Sequence, residues 1–224
     1  MLGEVLKQWD EALQIVSQGL ASLGLEATTR LKTSSTTIDK LRRQPSIDLL
    51  HIHDLAGARF VMTMTLGEQD HIVSSICNLW ENAQVVDRRE TPSFGYRAVH
   101  VIVKVGSCFV EIQVRTQYQD TWAQWMERFA DRMGREVRYG EEPDDFDVPF
   151  SPDSDATPRE VIEIWHLVGS QIKVIEEAEE ALVWLRLHLP PETGPSLDEF
   201  EIRQDRKVQQ LKESFDRFRE NLER

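Results

Sequence analysis

Apolar side chains recur every three to four residues at the start of the chain. Leu2, Val5, Leu6, Trp9, Leu13, Ile15, Val16 and Leu20 fall mostly on one face, which predicts an amphipathic helix. Gly19 and Gly24 mark its end. Residues 28–46 (TTRLKTSSTTIDKLRRQPS) are polar, and a short helix is predicted before Pro45. The texture changes at Asp54, which leads a predicted strand over Ala58–Thr65 that Gly67 closes. Glu68–Asn82 shows a helical stripe of Ile72, Val73, Ile76, Leu79 and Trp80, and Gln84–Arg88 reads as a short strand. Pro92 and Gly95 make Thr91–Gly95 a loop. Ala98–Val105 and Cys108–Thr116 alternate as two strands around Gly106-Ser107, a two-residue hairpin signal. Gln119–Arg132 returns to helical spacing, with Trp122, Trp125, Met126 and Phe129 on one face.

This order predicts an α/β (α+β) domain, a mixed sheet with flanking helices, over residues 1–140. Residues 141–157 are rich in Pro and acid and read as a linker. Thr157-Pro158-Arg159-Glu160 then supplies an N-cap, a Pro at the first helical position and a Glu three residues on. The helix that follows carries Val161, Trp165, Val168, Ile172, Ile175, Leu182 and Leu185. A last helix carries Val208, Leu211, Phe215, Phe218 and Leu222. Residues 158–224 are thus expected to form a C-terminal helical hairpin.

Charge sharpens this division. The chain holds 26 basic and 39 acidic residues, a net charge of −13. Residues 141–224 hold ten basic and twenty-two acidic side chains, so −12 of the −13 lies outside the predicted body. A near-neutral body remains able to bind anionic substrates. No apolar run approaches a membrane span, the N-terminus has no secretory pattern, and two cysteines make no disulfide framework. A reduced, cytoplasmic setting is expected.

Strand alternation selects the candidate chemistry. Glu111, Gln113 and Arg115 share one face of their strand, and Val110, Ile112 and Val114 share the other. On the preceding strand His100 falls on the same side as Glu111, so hairpin pairing can bring the two together. Asp54 and Glu111, several Arg and Lys, and Tyr96 after a glycine fit a metal-assisted phosphoryl-transfer site.

Three ordered motifs then carry a resemblance. Asp54-Leu-Ala-Gly-Ala-Arg59, Gly95-Tyr96-Arg-Ala-Val-His100 and Glu111-Ile-Gln-Val-Arg115-Thr116 resemble the RelA/SpoT synthetase domain, over roughly residues 25–130. Upstream, Arg30, Lys32 and Lys40 resemble that family's ATP-binding stretch. The resemblance implies a small, synthetase-only alarmone synthetase with a nucleotidyltransferase-like fold. Such an enzyme moves pyrophosphate from ATP to the 3′-hydroxyl of GTP or GDP, making (p)ppGpp and leaving AMP.

It also implies residue roles. Asp54 is expected to hold Mg²⁺, and Glu111 either to activate the 3′-hydroxyl or to help hold the metal. Arg30, Lys32, Lys40 and Arg59 would neutralise ATP's phosphates. Tyr96 would stack on the acceptor base, with His100, Gln113 and Arg88 on the acceptor side. Arg115 reads as a structural ion-pair residue. The loop DRRETPSFGY departs from the family, with Ser93 and Phe94 where Lys and Asn are typical. That departure bears on the acceptor, and tRNA 3′ ends and adenosine nucleotides are the alternatives; a non-catalytic nucleotide-binding module is a third. The resemblance also implies a homo-oligomer assembled through the C-terminal helices.

Overall fold

The computed structural model describes residues 2–32, 55–134, 137, 157–190 and 194–223. The expected helix before Pro45 and the linker over 141–156 lie outside these. Helix α1 (Leu2–Ser22) leads to β1 (Thr28–Leu31) and β2 (Ala56–Met62). Next come α2 (Leu66–Leu79), β3 (Gln84–Asp87), β4 (Val99–Val105), β5 (Cys108–Thr116) and α3 (Gln117–Met133). Two long helices, α4 (Pro158–His188) and α5 (Gly194–Glu223), complete the chain. Contacts divide it into two compact units, 1–92 with 97–120 and 93–96 with 121–224.

In the first unit five strands form a mixed sheet in the order β1-β2-β5-β4-β3. β2 and β5 run parallel and the other pairs are antiparallel. One face is the core. Ala56, Ala58, Phe60, Val99, Val101, Val103, Val110, Ile112 and Val114 are buried there with Trp9, Leu13, Val16 and Leu20 of α1 and Val73 and Ile76 of α2. The 3–4 spacing on α1 makes that stripe, and each fully buried aliphatic contributes roughly 1.5–3 kcal/mol.

Two local expectations change. Residues 28–31 form a strand, because β1 pairs with β2 from Thr28↔Arg59 to Leu31↔Ala56. β2 ends at Met62 because Thr65 is already a helix N-cap: its side chain accepts from the Glu68 N–H and Glu68 returns a bond to the Thr65 N–H. Gly67 therefore lies in the first turn of α2 instead of closing a strand. The hairpin turn is as expected, with Gly106 at φ 59°.

In the second unit the Thr157–Glu160 capping box forms with Pro158 in the first turn. The buried stripe of α4 runs Val161, Trp165, Gly169, Ile172, Ile175, Glu176 and Leu182, through Gly169 rather than Val168. Arg186 of α4 pairs with Asp198 at 2.9 Å and with Glu201, tying α4 to α5. No helix among the described residues is long and apolar enough to cross a membrane.

Candidate active site

The sheet face opposite the core is polar, and β5 supplies its centre. Register places Glu111 beside Gly57 and Ile102, and Gln113 beside Arg59 and His100. Arg30 lies opposite Gly57. Four strands thus bring Arg30, Arg59, Glu111, Gln113 and His100 onto one surface, while Val110, Ile112 and Val114 turn inward. Gly57 matters here by what it lacks. Among the described residues, a Cβ added there would meet only the Glu111 carbonyl oxygen within 4 Å, at 3.6 Å.

The Glu111 carboxylate is held from two sides. His100 Nδ1 lies 3.0 Å from Oε1, and the Gln113 amide donates to Oε2 at 2.8 Å. His100 and Glu111 keep 13% and 16% of their side-chain surface exposed, enough for a small reactant to reach the carboxylate. Behind them Arg115 donates to Gln113 Oε1 at 2.7 Å and to Asp120 Oδ1 at 2.9 Å. Arg115 thus forms the structural ion pair expected of it. Asp120, in the first turn of α3, also lies 3.7 Å from Arg59. Sequence reading had not singled out Asp120, because an acid in a first helical turn ordinarily serves the helix dipole alone.

A buried amide pair fixes where α3 starts. The Thr116 N–H donates to Gln119 Oε1 and the Gln119 N–H to Thr116 Oγ1, a capping box with Gln in the third position. Gln69 of α2 donates to Gln119 Oε1 and to the Val114 carbonyl, both at 2.9 Å. Gln69 in turn accepts from Arg89 at 3.1 Å.

Arg89 is consumed by this scaffold. It pairs with Asp70 at 2.5 Å and Asp87 at 2.6 Å, so it adds no free cation to the acceptor side. Arg88 makes no ion pair among the described residues and remains available. Partial burial alone would push the Asp87 carboxyl up, but the Arg89 hydrogen bonds and the Arg89 and Arg97 charges hold it below the usual range. A lowered folded pKa contributes stability above the unfolded value and loses it as pH falls through the folded value. The melting difference between wild type and Asp87→Asn near neutral pH is therefore expected to shrink below about pH 4. A difference that persists undiminished into strong acid would refute this.

The loop Ser93–Tyr96 belongs to the second unit. The Tyr96 N–H donates to the Ser93 carbonyl at 2.9 Å, which closes the turn. Phe94 at φ 51° and Gly95 at φ 84° are both left-handed. Gly95 takes this conformation freely, whereas Phe94 holds it at a cost of roughly 1–2 kcal/mol. A Cβ on Gly95 would stand 3.0 Å from the Trp122 ring, and one on Gly169 3.2 Å from the Gly95 carbonyl oxygen. Glycine at 169 is thus a close-approach residue inside a helix, a role sequence spacing had not revealed. Tyr96 packs at 6.4 Å and 54° against Trp122, and Phe94 lies 6.4 Å from His166.

The remaining expected residues divide. Arg30 is exposed on β1, and Lys32 follows it with its N–H donating to the Leu55 carbonyl at 2.8 Å. Lys40 and Asp54 lie outside the described residues. Among the described residues no group of three or more His, Cys, Asp or Glu could hold a metal ion. A magnesium ion needs only one or two carboxylates beside phosphate oxygens, and the partly exposed Glu111 suits one of those places. Asp120 is already taken by two arginines.

The chain is similar to known proteins in sequence and in fold. Residues 29–129 match the region found in RelA / SpoT proteins. An uncharacterized protein of Mycobacterium tuberculosis (strain H37Rv) is 40% identical over 122 residues, which are 54% of this chain and 45% of that protein. The match thus spans about half the length of that curated relative. Small alarmone synthetase 2 from Bacillus subtilis superposes with a TM-score of 0.61 at 19% identity, over 81% of this chain and 97% of that one. Small alarmone synthetase 1 from the same organism, bound to its product pppGpp, gives 0.52 at 19% identity, over 79% and 96%. At such identities the likeness is one of fold, and that fold is the mixed-sheet α+β one expected. Residues 29–129 thus resemble the region found in RelA / SpoT proteins, and the fold resembles that of the small alarmone synthetases.

Proposed function

We propose that the protein is a pyrophosphotransferase that makes (p)ppGpp from ATP and GTP or GDP. The observation that carries this reading is the Glu111 carboxylate, braced by His100 and Gln113 on an open face that also bears Arg30 and Arg59. In the reaction the 3′-oxygen of the acceptor attacks the β-phosphorus of ATP, the α–β bridge bond breaks, and AMP leaves. Glu111 takes the 3′-hydroxyl proton, and the contacts from its neighbours fix the orientation of the carboxylate. Arg30, Lys32, Lys40 and Arg59 neutralise the phosphates. Tyr96 stacks on the acceptor base, and Gln113, His100 and Arg88 serve the acceptor. Mg²⁺, held by Asp54 and Glu111, would supply charge neutralisation at the transferred phosphates.

The RelA/SpoT region and the product-bound neighbour support nucleotides as the substrates. The deciding experiment incubates the purified protein with ATP, Mg²⁺ and GDP, GTP, ADP or deacylated tRNA in turn. AMP together with 3′-pyrophosphorylated guanosine nucleotide is the expected result. Label on tRNA or an adenosine product would change the acceptor, and no AMP with any of them would end the reading.

The same reading includes a cytoplasmic location and a homo-oligomer assembled through α4 and α5. Leu167, Trp184 and Leu187 of α4 are large, exposed apolar side chains that suit such a contact. Light scattering is expected to give a multiple of 26.0 kDa, and a monomer at working concentration would refute the assembly.

A further inference from the structure

Arg115 and Asp120 form an ion pair whose side chains are only 3% and 5% exposed. Such a pair is a poor device for stability. Desolvation offsets the attraction, and an apolar pair of similar volume is often as stable or more stable. Its value lies in what it holds. One terminal nitrogen of Arg115 donates to Asp120 at 2.9 Å and the other to Gln113 Oε1 at 2.7 Å. An amide has one accepting and one donating end, so with its oxygen turned to Arg115, Gln113 must present its NH₂ to Glu111. It does so at 2.8 Å. A flipped amide would set oxygen against carboxylate. The same Asp120 carboxylate faces Arg59 at 3.7 Å.

We propose that Arg115 and Asp120 are a positioning pair that couples the two sides of the site. Through Gln113 the pair fixes the Glu111 carboxylate, and through Asp120 it draws in Arg59. The inference rests on the pyrophosphotransferase reading of Glu111 and Arg59. Neither member of the pair touches substrate, so the position of the base and of a donor-side cation depends on one anchor behind them.

The test uses the full chain carrying Arg115→Met with Asp120→Leu, which removes both charges together and leaves the net charge unchanged. This variant is expected to fold, with a melting temperature at or above that of wild type. Its kcat is expected to fall by about a hundredfold while the KM for the acceptor changes by less than about threefold. Asp120→Glu is expected to recover most of the rate. A second readout needs no substrate: the Glu111 carboxyl ¹³C and His100 ring ¹⁵N resonances should shift in the double variant. Wild-type kcat with unmoved resonances in the folded variant would overturn the proposal. If the double variant does not fold, Gln113→Leu cuts the same connection with the ion pair intact. It should show the same loss and the same shifts, and their absence overturns the proposal equally. A wild-type protein that makes no product sinks the functional reading alone, since the resonances still decide whether the coupling exists.

Discussion

Glu111→Gln is expected to lower pyrophosphate transfer by about 10²–10⁴-fold, the range for loss of a general base. The substitution keeps the shape of the side chain and removes its ability to take a proton. Two donors, the Gln113 amide and His100 Nδ1, now point at that carboxylate. A glutamine can accept with its one oxygen, but its own NH₂ then faces the other donor, so one hydrogen bond is lost. That costs roughly 0.5–1.5 kcal/mol, well short of what unfolds a domain. The expected pattern is a folded protein with a modest fall in melting temperature, nucleotide binding still measurable by calorimetry, and a rate near background. A wild-type rate would remove Glu111 from the chemistry. Lost binding with an unchanged bound-state rate would make it a binding residue instead.

The central face of the site was legible because a strand has a period of two. Glu111, Gln113 and Arg115 could be assigned to one side from spacing alone, and His100 followed from the hairpin at Gly106-Ser107. The contact at 3.0 Å between His100 and Glu111 is what that reading anticipated. The parts that escaped depend on partners distant in sequence. Residues 28–31 contain nothing that demands a strand; pairing with β2 makes them one and brings Arg30 opposite Gly57. Arg89 sits beside Arg88 in the sequence with nothing local to show that Asp70, nineteen residues earlier, pairs with it. Asp120 acquires its role only when α3 begins directly after β5, which the Thr116–Gln119 box enforces. Gly169 offered no local signal, since its reason is the backbone of Gly95 on a loop 74 positions away (169 − 95). Periodicity shows which way a side chain faces, whereas the identity of what it meets is a property of the tertiary pairing.

Trp165→Ala carries the largest expected cost in stability. The ring is 1% exposed, stacks on Trp125 at 6.0 Å and 23°, and meets Trp122 edge-on at 6.2 Å and 88°. Truncating a buried tryptophan removes its transfer energy and leaves a cavity, together about 3–5 kcal/mol. For a chain of this size each kcal/mol moves the melting temperature by about 2–4 °C, so a fall on the order of 10 °C is expected. The Trp122 indole N–H donates to the Trp165 carbonyl at 3.0 Å, a backbone acceptor that survives the substitution. Trp122 therefore keeps its polar tether while losing the ring that supports its edge, and it is free to tilt into the space. Because Trp122 is what Gly95 and Tyr96 rest against within the second unit, the acceptor loop should loosen with it. Thermal melts followed by tryptophan fluorescence check the first effect. The second should appear as a raised acceptor KM with kcat less affected, because Tyr96 is proposed to bind the base and Glu111, in the first unit, to do the chemistry. A melting temperature within about 2 °C of wild type would show that the tryptophan cluster contributes less than its burial implies.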